Sequence, residues 1–150
     1  MKARNPSTGN LETVYVKALD SMPVGTQIEF TGDTIPTGWE EVNDYSTTEI
    51  DTGKKWIDGS TIYRKVFDIT SPNVLTTTKV CEAPAGSTII NYWGYIEGNY
   101  NARYPLNVNF SSSDFVYSYV ADGNGINLRI GLDAYKNKPM KVVLEYTKSS

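Results

Sequence analysis

The sequence predicts an all-β protein, an antiparallel β-sandwich of jelly-roll type with a short N-terminal arm or stalk end. Three observations carry this. The 150 residues include 11 Tyr, 3 Trp and 4 Phe beside frequent Thr, Val and Ile, a mix that suits strands. From Trp56 onward, turn residues punctuate about eight apolar or alternating runs at the spacing of a sandwich or barrel. No segment carries a convincing helical period. A double-sheet jelly roll resolves the edge problem of so many short strands, though strand order is not legible in the pattern.

Three regions follow from the order of signals. Residues 1–22 read as an arm or stalk end, with a turn cluster at 5–10 and a stretch, 11–19, that suits either a strand or a short helix. Residues 23–44 read as a collar-like connector. Two apolar pulses, 28–30 and 39–42, are joined by Gly32-Asp33 and Pro36-Thr37-Gly38, where Pro presets φ and Gly supplies positive φ. Trp39 would anchor this connector. Residues 45–150 read as the head domain, entered through a polar linker at 43–53.

Within the head, Asp58-Gly59 between β-prone residues signals a hairpin over 55–63. The strand at 61–69 has apolar residues on both rows: Tyr63, Phe67 and Ile69 on one, Ile62 and Val66 on the other. A short strand is expected at 76–81. The run 87–97 should be a central strand, with Ile90, Tyr92 and Ile96 on one row and Ile89, Trp93 and Tyr95 on the other; Gly94 would admit a close neighbour or a bulge. Leu106, Val108 and Phe110 alternate with Asn107 and Asn109, as in a half-buried strand. Phe115, Tyr117 and Tyr119 alternate with Val116, Ser118 and Val120. A turn at 121–125 leads into Ile126, Leu128, Ile130 and Leu132, and the last strand carries Met140, Val142, Leu144 and Tyr146 on one row.

Composition excludes several functions. The chain has no His, so histidine-dependent triads and His/Cys zinc sites are ruled out. The single Cys81 forms no internal disulfide and reads as a small residue in or beside a strand. A net charge of −3 argues against nucleic acid as a partner. There is no apolar run of about 20 residues, so no membrane span is expected, and no signal peptide is visible at the N-terminus. Glu40, Glu41, Glu97, Asp114 and Asp122 are the carboxylates a glycosidase would draw on, yet acids in loops are ordinarily just solvated. Asp122-Gly123-Asn124-Gly125 has oxygen atoms suited to calcium but lacks the further acids of a calcium loop. The expectation is therefore a non-enzyme without cofactor or metal.

The aromatic residues point elsewhere. Sugar rings stack their C–H faces on Trp and Tyr, and their hydroxyls need fixed polar partners. The stretch 97–104 mixes both, with Tyr100 and Tyr104 as candidate platforms and Asn99, Asn101 and Arg103 as candidate polar contacts. Trp56 and Trp93 lie in strand patterns and read as core or subunit-interface residues. Apolar residues on both rows of 61–69, 87–97 and 115–120 predict self-association. A two-layer sandwich covers only one face of each sheet, and a cyclic trimer would cover the other and align three arms.

Part of the chain also resembles a known family. Pro23-Val24-Gly25-Thr26 followed by Pro36-Thr37-Gly38-Trp39 resembles the PVGT…P-x-GW segment of bacteriophage tail fibre and tail collar-type proteins. YSTTE…GKKWIDGSTIYRKV, residues 45–66, is similar to the start of a C-terminal domain in structural proteins of phages that infect Gram-positive bacteria; residues 143–148 are similar to that domain's last strand. The resemblance is specific over 23–66 and thinner up to 148. It implies a virion protein of the tail fibre or baseplate, assembled in the host cytoplasm, that adheres to host cell-wall saccharide. Its partners would be copies of itself in a homotrimer and other tail or baseplate proteins. The rival implication is a purely structural module, such as a head fibre, decoration or trimerisation cap, with no ligand of its own.

Overall fold

A computed structural model describes residues 45–149. The arm at 1–22 and the connector at 23–44, with Trp39, Glu40 and Glu41, lie outside the described residues. The head is all-β, as expected. Its strands are β1 (Ile50–Lys55), β2 (Thr61–Thr70), β3 (Thr78–Glu82), β4 (Ser87–Glu97), β5 (Arg103–Pro105), β6 (Val108–Asn109), β7 (Phe115–Ala121), β8 (Gly125–Ile130) and β9 (Pro139–Lys148). Only single 3-10 turns, Asn99–Asn101 and Asp133–Tyr135, interrupt them among the described residues.

Two antiparallel sheets form a sandwich, ordered β1-β2-β9-β4-β5 and β3-β8-β7-β6. β2 pairs with β9 in the first sheet and β3 with β8 in the second, so strands far apart in the described sequence lie side by side in both sheets. The other pairings are local: β4 takes β5 as its other neighbour, and β7 takes β6 and β8.

The core follows the strand period. Met140, Val142, Leu144 and Tyr146 of β9 are fully buried, as are Ile126, Leu128 and Ile130 of β8. Each such side chain contributes about 1.5–3 kcal/mol through burial. The two sheets are also joined by a polar link. Tyr92 Oη of β4 donates to the Ser118 carbonyl of β7 at 3.1 Å, and Asn107 Nδ2 donates to Tyr92 Oη at 3.3 Å. Asn107 Oδ1 accepts from the Ser118 N–H at 2.9 Å. β6 ends its pairing at Val116, so Asn107 satisfies a β7 donor that has no strand beside it.

Several expectations need correction. The stretch 43–53 is not simply a linker, because its second half is β1, a mostly exposed edge strand whose polar IDTGKK hides its pairing with β2. Trp56 sits in the β1–β2 turn, 40 % exposed, and Trp93 is 36 % exposed on the outer face of its sheet; of the two expectations, core or subunit interface, the core is excluded for both. A bulge between Ile89 and Asn91 shifts the period of β4, so Ile89 joins Tyr92 and Ile96 on the inner row in place of Ile90. Leu106 is buried as expected, but Phe110 is 62 % exposed because β6 is only two residues long. Leu132 lies beyond the end of β8.

Gly94 does admit a close neighbour. A Cβ there would stand 2.1 Å from the Lys141 carbonyl oxygen of β9. We expect Gly94→Ala to lower stability by about 2 kcal/mol in urea unfolding, by forcing β4 from β9.

At the end of the core, Tyr146 Oη and Lys148 Nζ both donate to the Glu49 carboxylate, just ahead of β1. Burial pushes the Glu49 pKa up, but these hydrogen bonds and the Lys148 charge outweigh it and hold the group below its ordinary 4.5. A depressed carboxylate stabilises the fold above its unfolded pKa, and that contribution fades as pH falls through the folded value. Glu49→Gln should therefore cost about 1 kcal/mol at neutral pH. The gap between variant and wild type should close as a chemical-denaturation series is taken below pH 4.5.

Candidate functional site

The stretch 97–104 does not gather its aromatics on one face. In the β4–β5 ladder Tyr104 lies opposite fully buried Ile96, so its ring turns inward. There it meets Tyr135 edge-on at 5.0 Å and Phe110 at 6.4 Å. Tyr104 is thus a buttress and not an open platform. Arg103 points outward, its guanidinium carbon 4.6 Å from the centre of the Tyr95 ring. Asn99 Oδ1 accepts from Lys138 Nζ at 3.3 Å.

Tyr100 differs from its neighbours. It is fully exposed and has a left-handed backbone, φ 59°, followed by Asn101 at φ 60°. Asn tolerates that region, whereas a bulky aromatic is strained there. An exposed ring gains nothing from packing in return, and strain of this kind gathers at functional positions.

The period of β7 and β8 builds a second aromatic surface that the sequence displayed but did not assign. Val116 and Ser118 face the core, so Phe115, Tyr117 and Tyr119 share the outer row. Tyr117 and Tyr119 are 54 % and 39 % exposed, with ring centres 5.8 Å apart. Opposite them on β8, Arg129 pairs with Tyr117 and Asn127 with Tyr119, and Asn127 Nδ2 donates to Tyr119 Oη at 3.1 Å. Asn109 of β6 lies opposite Phe115. One end of this row opens into a groove of about 560 Å³ between the strands and the 110–114 loop, lined by Phe115, Tyr117, Arg129, Asn109, Ser111 and Ser112. Tyr104 supports the loop from behind, through Phe110 and through Tyr135, whose hydroxyl donates to Asp114 Oδ1 at 2.5 Å.

Gly131 shapes the groove wall. A Cβ there would lie 2.7 Å from the Phe115 ring and 2.5 Å from the Ser113 carbonyl oxygen. Only glycine lets the chain pass so close behind Phe115.

Two of the other candidate groups have structural partners. The turn at 122–124 directs the Gly123 carbonyl to the Ile89 N–H at 2.9 Å and the Asn124 carbonyl to the Ala83 N–H at 2.7 Å, so two of its oxygens tie β7–β8 to β3–β4. Asp114 accepts from Tyr135 as described. Among the described residues no group of three His, Cys, Asp or Glu side chains is placed to hold a metal ion. Among them, too, no helix is long and apolar enough to cross a membrane. Cys81 is buried in β3, and burial, aided by the neighbouring Glu82 charge, pushes its thiol up to about 12.

Comparison of the chain with protein-family models, with curated proteins and with solved structures finds no match. The geometry therefore carries the functional reading.

Both exposed aromatic sites can be separated from the core by stability alone. Tyr117→Ala and Tyr119→Ala should each leave the unfolding free energy within about 0.5 kcal/mol of wild type. Tyr100→Gly should raise it by about 1 kcal/mol by relieving the left-handed backbone. Thermal and urea unfolding of the three variants checks both.

Proposed function

We propose that this chain is the C-terminal region of a bacteriophage tail fibre or baseplate receptor-binding protein, and that its β-sandwich head adheres to host cell-surface carbohydrate without catalysis. The observation that carries the reading is the outward row of Phe115, Tyr117 and Tyr119, flanked by Asn109, Asn127 and Arg129. Flat faces beside fixed amide and guanidinium donors suit a sugar, which needs both. The row is extended, so it suits a chain of sugars better than a single ring. Each site would be weak, and multiple copies on a virion would raise avidity. The resemblance of residues 23–66 to phage tail proteins supports the virion setting. Tyr100 offers a second, smaller contact.

The rival reading is a structural virion module, and the outer face of the first sheet favours it. There Trp93 and Tyr45 meet edge-on at 6.3 Å, with the Arg64 guanidinium 4.8 Å from the Tyr45 ring. Such a patch suits burial between copies in a homotrimer. Both readings allow a trimer, which light scattering of residues 1–150 at micromolar concentration tests; a monomer mass would exclude it.

Binding to purified Gram-positive cell walls separates the readings. Under the adhesion reading, the intact protein sediments with walls, and Tyr117→Ala binds about tenfold more weakly. No binding to any wall tested would favour the structural module.

A further inference from the structure

We infer that the groove beside Tyr117 selects an anionic saccharide, one carrying a carboxylate or a phosphodiester, with Arg129 as the residue that holds the anion. This rests on the adhesion reading and narrows its ligand.

The inference starts from charge. The described head has five ion pairs, Arg64–Glu145, Lys79–Glu82, Lys136–Asp133, Lys141–Asp68 and Lys148–Glu49. Arg129 is in none of them, and among the described residues no carboxylate or carbonyl accepts a hydrogen bond from its guanidinium. Two acids on or beside this sheet have other partners. Glu82, on the outer side of edge strand β3, pairs with Lys79 at 3.1 Å, and Asp114 accepts from Tyr135. Arg129 is the one charged side chain among the residues that line the groove, in a chain whose net charge is −3.

Geometry adds direction. The Arg129 guanidinium carbon lies 5.7 Å from the centre of the Phe115 ring. A ring beneath a guanidinium holds the fork in place and leaves its N–H donors free. Arg129 lines the same groove as Tyr117, Asn109, Ser111 and Ser112. A carboxylate and a phosphodiester each present two oxygens that a guanidinium takes in bidentate fashion. A neutral sugar presents only hydroxyls, which leave the charge uncompensated. One site therefore offers a stacking face, neutral polar contacts and an unpaired, oriented cation.

The test is binding of the 150-residue protein to paired probes by calorimetry. One pair is oligogalacturonate and its methyl ester; the other is a glycerol-phosphate oligomer and the same oligomer with its phosphates removed. The two arms tell carboxylate from phosphodiester. The expected result is that at least one acidic member binds about tenfold more tightly than its neutral partner, with a preference that shrinks as salt rises. Arg129→Met should abolish that preference while keeping weak binding to the neutral member, Arg129→Lys should restore part of it, and Tyr117→Ala should weaken both members. Equal binding of acidic and neutral probes, or an unchanged preference in Arg129→Met, would overturn the anionic site and leave adhesion standing. No binding to either pair, nor to any wall preparation, would overturn both. Wall binding without binding to either pair, unaffected by Arg129→Met, would overturn the anionic site alone.

Discussion

The fold depends on β9. This strand pairs with β2 on one side and β4 on the other along nearly its whole length, and its entire inner row is buried. Its outer row carries Lys141, Val143 and Glu145. A slip of one residue would drive those two charges into the core and lift Leu144 and Tyr146 out, so burial sets the register strictly. The Arg64–Glu145 pair, 2.6 Å apart across the β2–β9 ladder, agrees with the same register on the opposite face. Because β9 is the last strand and β2 is separated from it by most of the head, the central ladder joins distant parts of the chain. Such pairing closes a long loop before the contacts reward it, and it belongs to slow-folding topologies.

The two outer faces use aromatic residues differently. On the first sheet, Arg64 sits over Tyr45, approaches Trp93 and pairs with Glu145, so polar and aromatic groups answer one another within the head. On the second sheet, Tyr117 and Arg129 face each other across a ladder with no acid between them. A face whose groups are mutually satisfied has little to gain from a ligand. A face whose donors and rings are left open gains from whatever completes it. That asymmetry directs attention to β7 and β8, although the loop at 97–104 is richer in polar residues.

Legibility in the sequence followed burial. The strict alternation of β9 and β8 identified the core rows correctly, because one-sided burial imposes a period of two. β1 was not legible: an exposed edge strand needs no apolar row, so IDTGKK looks like a linker. The bulge at Ile90 was not legible either, since an extra residue reverses a row without altering composition. The site was half visible. The row Phe115, Tyr117 and Tyr119 stood out as a pattern, but Val116 and Ser118 opposite it gave no sign of which row faced inward. Burial decides it: Val116 and Ser118 are buried, and the Ser118 hydroxyl meets the Tyr92 hydroxyl of the other sheet at 3.2 Å. Tyr104 was misjudged for a related reason. Its fate turns on pairing with Ile96, which hydrophobic periodicity over three residues cannot show.

The burial of Cys81 has a practical consequence. β3 is an outermost strand of its sheet, joined only to β8, and the chain's single thiol lies on its inner side with a pKa pushed to about 12. In the closed sandwich that sulfur is both sheltered and protonated, hence nearly inert to alkylating or oxidising reagents. It becomes reactive only while β3 is lifted away. Its labelling rate is therefore a built-in clock for the opening of one sheet edge, separable from global unfolding of the head.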